Sequence, residues 1–141
     1  MAGQRVADWL YEAVAQDAQF QCGYCRCPQQ VLPYRLEIEH LLPSSLGGAD
    51  NRENLWLSCH RCKKLRSNRL KVTDPVTGEE VFIFNPRRHQ WSEHFAWEQE
   101  GLLIVGLTAC GRATAATLNL NDRYHLSARA IWIFARAYPP D

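Results

Sequence analysis

The chain has 141 residues, 46% of them hydrophobic and 22% charged, and 16 basic residues against 15 acidic ones leave a net charge of +1. This is ordinary globular composition, which excludes wholesale disorder and collagen-like or repeat architecture. The longest apolar runs, such as Leu102-Leu-Ile-Val-Gly-Leu107, fall far short of the roughly 18 residues that span a bilayer, and the first ten residues lack a secretory pattern, so the expected compartment is the cytoplasm.

In chain order, Val6, Trp9, Leu10, Ala13 and Val14 have the spacing of an amphipathic helix, expected to lie as a lid on the rest of the fold. Residues 35–40 alternate apolar and charged side chains as a strand does, and Pro43 ends regular pairing. A turn-rich loop, Ser44-Ser-Leu-Gly-Gly-Ala-Asp-Asn51, leads to a second short strand at 54–58. Residues 61–70 are good helix formers without Gly or Pro. Asp74-Pro-Val-Thr-Gly-Glu79 is a turn and 81–84 a strand. The last third offers an aromatic stretch at 91–97, a strand at 102–105 and a final helix at 122–137. Asn121 or Asp122 is its expected N-cap, and Leu126, Ala130, Ile131 and Phe134 share its apolar face. No linker or repeat divides the chain, so residues 1–141 are expected to form one compact unit.

Two C-x-x-C knuckles, Cys22-Gly-Tyr-Cys25 and Cys59-His-Arg-Cys62, flank the two strands. In a reducing compartment they suit metal better than disulfides, and a hairpin between them would bring four thiolates together as a tetrahedral structural zinc site. Cys110 reads as a small core residue. Cys27 is either a spare thiol near the knuckle or a competitor for the metal. His89 and His94, set among Trp91, Phe95 and Trp97, read as locally hydrogen-bonded residues of an aromatic core. Between Asn54 and Thr73 there is no acid, while Arg61, Lys63, Lys64, Arg66, Arg69 and Lys71 are all basic, a pattern suited to phosphate contacts.

Glu39-His40 lies between the knuckles, followed by Pro43-Ser-Ser-Leu-Gly-Gly48, Asn54-Leu55 and a knuckle that opens a basic helix. With these motifs the segment from Cys22 to about Arg69 resembles the HNH nucleases, in the subgroup stapled by two C-x-x-C knuckles. The resemblance implies an α+β fold. Its core, over 20–72, would be a ββα-metal, treble-clef-like unit held by the four-cysteine zinc, with an N-terminal helix before it. A strand-plus-helix extension at 73–141 would pack on that core.

The implied activity is metal-dependent endonucleolytic hydrolysis of phosphodiester bonds, leaving 5'-phosphate and 3'-hydroxyl ends. The expected substrate is nucleic acid, with double-stranded DNA as the default; no membrane or protein partner is indicated. A neutral imidazole is the natural base near pH 7, and a carboxylate suits a hard divalent ion. By the resemblance, His40 is the general base, Glu39 a ligand of a catalytic Mg2+ or Mn2+, and Asn54 a structural brace for the loop that orients His40.

Neighbours on an ideal strand point to opposite faces, so Glu39 and His40 converge only where the strand ends. One position departs from the family pattern. Lys63 stands where such proteins usually carry an Asn or His ligand, and an ammonium has no lone pair for a metal. Three consequences stay open: Lys63 contacts the scissile phosphate, the enzyme is slow and demands high metal, or the site is dead. The last leaves an alternative function, a catalytically impaired zinc-stapled module of the same fold that binds nucleic acid. His60 is a further, weaker ligand candidate.

Overall fold

The computed structural model describes residues 5–140; residues 1–4 and 141 of the expected 1–141 unit lie outside the described residues. Helix α1 covers Asp8–Asp17. It buries Leu10, Tyr11, Val14 and Ala15, with Ala18 just beyond, while Trp9 faces solvent. The buried stripe is therefore turned by about one residue from the expected one. Tyr11 decides this, because its ring goes inward and its hydroxyl donates to the Leu36 carbonyl at 2.5 Å.

Strands β1 (Glu37–His40) and β2 (Leu55–Ser58) pair antiparallel, with Glu39 opposite Trp56 and His40 opposite Leu55. Helix α2 (His60–Arg66) comes directly after β2 and packs on β1, which completes a ββα unit. The helix is shorter than expected. Ser67 adopts φ 56°, Arg66 Nε donates to the Arg69 carbonyl at 3.1 Å, and the chain turns into β3 (Lys71–Thr73). Strand β3 pairs with β4 (Glu80–Phe82) across the Asp74–Glu79 turn.

A four-residue helix α3 (Trp91–His94) runs into β5 (Phe95–Glu98), which pairs with β6 (Leu103–Gly106). Helix α4 (Ala109–Thr117), absent from the sequence expectations, crosses β6 and the β3–β4 hairpin. Thr108 caps it by accepting from the Gly111 N–H. Gly111 is required: a Cβ there would collide with the His94 carbonyl oxygen. Helix α5 (Arg123–Phe134) is N-capped by Asp122, whereas Asn121 instead bonds both backbone groups of Ile104.

The main core joins α1, the hairpin, the knuckles and the extension through Val14, Tyr24, Leu55, Leu57, Phe84, Phe95, Ile104 and Leu120. Two long-range bonds tie the extension to the first knuckle: Trp91 Nε1 donates to the Tyr24 carbonyl at 2.9 Å, and the Tyr138 hydroxyl to the Cys25 carbonyl at 2.6 Å. The apolar face expected on α5 is corrected. Ile131 and Phe134 are exposed, Phe134 at 92%, and His125 and Arg129 are the buried residues. No helix among the described residues is long and apolar enough to cross a membrane.

Candidate metal centre and catalytic cleft

The hairpin carries the second knuckle back onto the first. Cys22, Cys25, Cys59 and Cys62 are all buried, and their sulfurs lie within 4.8 Å of one another. Sulfurs about 2.3 Å from a central zinc in a tetrahedron stand about 3.8 Å apart, and Cys25 Sγ and Cys59 Sγ are 3.8 Å apart. The backbone helps shape the knuckles, since the Tyr24 N–H donates to Cys22 Sγ at 3.5 Å and the Cys62 N–H to Cys59 Sγ at 3.4 Å. Cys27 is buried beside this group but does not belong to it.

Helix α5 supplies a second sign that the residues fit a metal–thiolate centre. Arg129 is fully buried; its Nη1 donates to the Leu102 carbonyl at 2.7 Å, while its Nε and Nη2 have no partner, nor does His125 Nε2. Burial pulls the Arg129 guanidinium below its usual value, and Tyr138 and then the thiolates of Cys25, Cys62 and Cys27 oppose that pull. Four thiolates around Zn2+ carry a net charge of −2, and a buried anion of that size calls for a nearby cation and N–H donors. Arg129 supplies such a cation by charge, while its hydrogen bonds go to the Leu102 carbonyl and Asn121 Oδ1.

A cleft of 410 Å³ opens on the other side of α2, lined by Glu37, Glu39, His40, Ser44, His60, Lys63 and Lys64 among others. Strand β1 ends at His40, so Glu39 and His40 both reach this cleft, as their convergence requires. His40 Nε2 lies 2.6 Å from Asp50 Oδ1. Asn54 clamps the intervening loop: its Oδ1 accepts from the Leu42 N–H at 2.8 Å, and its Nδ2 donates to the Leu42 and Ala49 carbonyls at 3.0 Å.

Glu39 is only 3% exposed, and its Oε2 accepts from the Tyr24 hydroxyl at 2.8 Å and from Arg66 Nη1 at 2.7 Å. Burial pushes its carboxyl up, while Arg66, Tyr24 and Lys63 pull it down. Lys63 Nζ donates to the Ile38 carbonyl at 2.5 Å, which holds an ammonium on the cleft wall beside Glu39. His60 is exposed and pairs with Glu37 at 2.9 Å.

Residues 22–69 match the family model of the HNH endonucleases. Among curated proteins, the chain is 29% identical to the Septu protein PtuB of Bacillus mycoides (strain KBAB4), over 59% of this chain and 36% of that protein. It is 38% identical to the CRISPR-associated endonuclease Cas9 of Corynebacterium diphtheriae, over 43% of this chain and 5% of that one. The chain thus spans well under two thirds of either relative. No solved structure matches it.

The fold brings together only part of the expected basic surface. Lys64 and Arg69 are exposed, as is Lys71, whose ammonium lies 5.2 Å from the Phe82 ring. Arg61 is tied to the start of α5, pairing with Asp122 and donating from Nε to His125 Nδ1 at 3.4 Å. Arg66 is a correction: it is 2% exposed, and its guanidinium is fully used by Glu39 and the carbonyls of His40 and Leu41 and of Arg69. It holds the end of β1 against α2 and is not available to phosphate. Sequence reasoning missed Asp50, whose only signal is an acid at the end of the Gly-Gly turn after His40. It also missed Arg129, which hydrophobic periodicity assigns to the outside.

Proposed function

We propose that the chain is an HNH-type endonuclease that hydrolyses phosphodiester bonds in nucleic acid, with duplex DNA as the substrate and His40 as general base. The observation that supports this reading best is the placement of His40. Its imidazole ends β1 at the mouth of the cleft, with Nε2 held by Asp50 and its other ring nitrogen left to take a proton from water. Asp50 orients the ring and stabilises the imidazolium that forms after proton transfer, while Asn54 fixes the loop that carries Asp50.

A catalytic divalent ion, Mg2+ or Mn2+, would be held by Glu39 together with substrate phosphate and water, the mode in which Mg2+ is commonly bound. It would supply charge neutralisation on the phosphate. No three His, Cys, Asp or Glu ligand atoms converge in the cleft among the described residues, so such an ion depends on substrate for its remaining contacts. The fixed Lys63 ammonium offers a point charge to the same phosphate, and Lys64 extends that positive wall. Zinc in the four-cysteine centre is structural: it staples the first knuckle to the start of α2.

A second reading, a nucleic-acid-binding module without catalysis, draws support from the cations Lys63 and Arg66 on either side of the Glu39 carboxylate. Supercoiled plasmid separates the two. Wild type and His40→Ala, at matched zinc content with Mg2+ or Mn2+ titrated in, are expected to differ, with nicking by wild type alone. Salt-sensitive retention of DNA without nicking by either protein would replace the enzyme with the binding module.

A further inference from the structure

A second group of metal-ligand side chains lies in the extension. His89, His94 and Cys110 place one donor atom each within 4.8 Å of the others. They come from three places: the turn after β4, the last residue of α3 and the first turn of α4. Phe84 forms the floor, its ring 5.9 Å from that of His89 and 5.7 Å from that of His94, and the two imidazoles are 5.2 Å apart. The floor is fixed, because Phe84 is buried and its N–H donates to Thr114 Oγ1 on α4 at 3.0 Å. The close approach of α4 to α3 is built in as well. Gly111, next to Cys110, has no Cβ to strike the His94 carbonyl, and that carbonyl accepts from the Leu107 N–H at 2.8 Å.

We propose that His89, His94 and Cys110 form a second zinc site, separate from the four-cysteine centre and without part in the cleft chemistry. The donor set decides the metal class. Two imidazoles and a thiolate suit Zn2+, whereas Mg2+ and Ca2+ take oxygen ligands, and none of the three donors is oxygen.

The hydrogen bonds around His94 also fit. Its Nδ1 lies 2.6 Å from Thr108 Oγ1, which already accepts from the Gly111 N–H at 3.0 Å. An Nδ1–H donated to that hydroxyl leaves the Nε2 lone pair for a metal, the usual arrangement of a ligating histidine. His89 is the exposed member; its backbone N–H donates to the Asn85 carbonyl at 2.9 Å, and its ring is held among the described residues by a 3.2 Å contact from the Asn85 N–H to Nδ1. Cys110 is half-buried and loses its thiol proton to solvent on binding. Three protein ligands leave the fourth position to water. The ion ties the turn, α3 and α4 together over Phe84, as the four-cysteine centre ties the first knuckle to the start of α2.

The test is metal stoichiometry on the full chain. Wild type equilibrated with excess ZnCl2 and freed of unbound metal is expected to hold two zinc ions, and Cys110→Ser, His94→Gln and His89→Gln one each, with unchanged far-ultraviolet circular dichroism. His89→Gln, at the exposed position, guards against loss through misfolding. Cobalt substitution gives a second readout: Cys110→Ser removes one of five thiolate–cobalt bonds, lowering charge-transfer absorption, while His94→Gln diminishes the d–d bands of one ion. A single zinc in saturated wild type overturns the site. Two zinc ions retained in all three variants overturn it equally, since the second ion would then sit elsewhere.

Discussion

His40 Nε2 and Asp50 Oδ1 meet at 2.6 Å although the two residues are ten positions apart and Asp50 sits on an exposed loop. The contact depends on Asn54, which bonds backbone groups at both ends of that loop. With His40 as general base, Asp50→Asn keeps a hydrogen-bonding side chain but removes the charge that supports the imidazolium. Its kcat is expected to fall on the order of tenfold with KM little changed, whereas His40→Ala loses about 10² to 10⁴. Steady-state nicking assays check both; equal activity of Asp50→Asn and wild type contradicts the assignment.

Glu39 and Arg66 form a buried pair whose charges are 4% and 2% exposed at the side chain. Arg66→Met strips the carboxylate of its main cation and leaves three backbone carbonyls without a donor. Breaking a buried pair from one side costs about 3–5 kcal/mol. Urea unfolding of the zinc-loaded variant should show that loss through a lower midpoint at unchanged slope.

Asp17 links α1 to both halves of the chain, accepting from Arg52 at 2.7 Å and from Arg87 at 2.9 Å. The Arg52 hydrogen bond, with Arg87 adding to it against a smaller opposing effect of burial, holds its carboxyl down at about 2, against 3.8 for a free aspartate. A carboxyl depressed by folding stabilises the protein above its unfolded value and loses that contribution as pH falls through its folded value. Asp17→Asn is therefore expected to cost about 1 kcal/mol at pH 7 after solvent screening, and the gap from wild type should close between pH 4 and pH 2. Thermal melts of the two proteins across that range test it; a gap independent of pH contradicts the ion-pair account.

Arg129 is the buried cation beside the four-cysteine centre. Arg129→Met fills similar volume without charge and is expected to speed zinc loss to a chelator about tenfold, in line with other outer-shell partners of metal ligands. Complete zinc removal should loosen the two knuckles and the start of α2, whose buried thiols then lose the centre they share. Chelator competition followed by circular dichroism reads both.

Binding to duplex DNA should weaken steeply with salt if the exposed basic residues meet phosphates. Lys64→Gln and Arg69→Gln are each expected to reduce the slope of log K against log salt by about 0.9. Arg61→Gln should change it less, because that side chain is already paired with Asp122. Fluorescence anisotropy over a salt series distinguishes the three.

Much of the metal centre and the cleft was legible from local pattern. Knuckle spacing, the alternation into His40, the turn-rich loop and Asn54 are short-range signals, because a strand, a turn and a C-x-x-C knuckle are set by neighbouring residues. The three-residue strand β3 is too short to carry an alternation of its own and is defined by its pairing with β4. Helix α4 was missed because its alanine-rich run carries a glycine. That residue is needed only where α4 meets the His94 carbonyl.

Sequence alone marked the candidate residues: four thiols in two knuckles, an acid–histidine pair at a strand end, and a basic segment beside them. Tertiary structure decided which of those groups are free to act. It turned Arg66 inward to Glu39, joined Asp50 to His40, buried Arg129 on α5 at the expense of an apolar face, and brought His89, His94 and Cys110 together. The reason is physical: local propensity fixes periodicity and turns, but a buried charge must find its partner wherever the fold brings one within reach, and sequence separation does not say where that is.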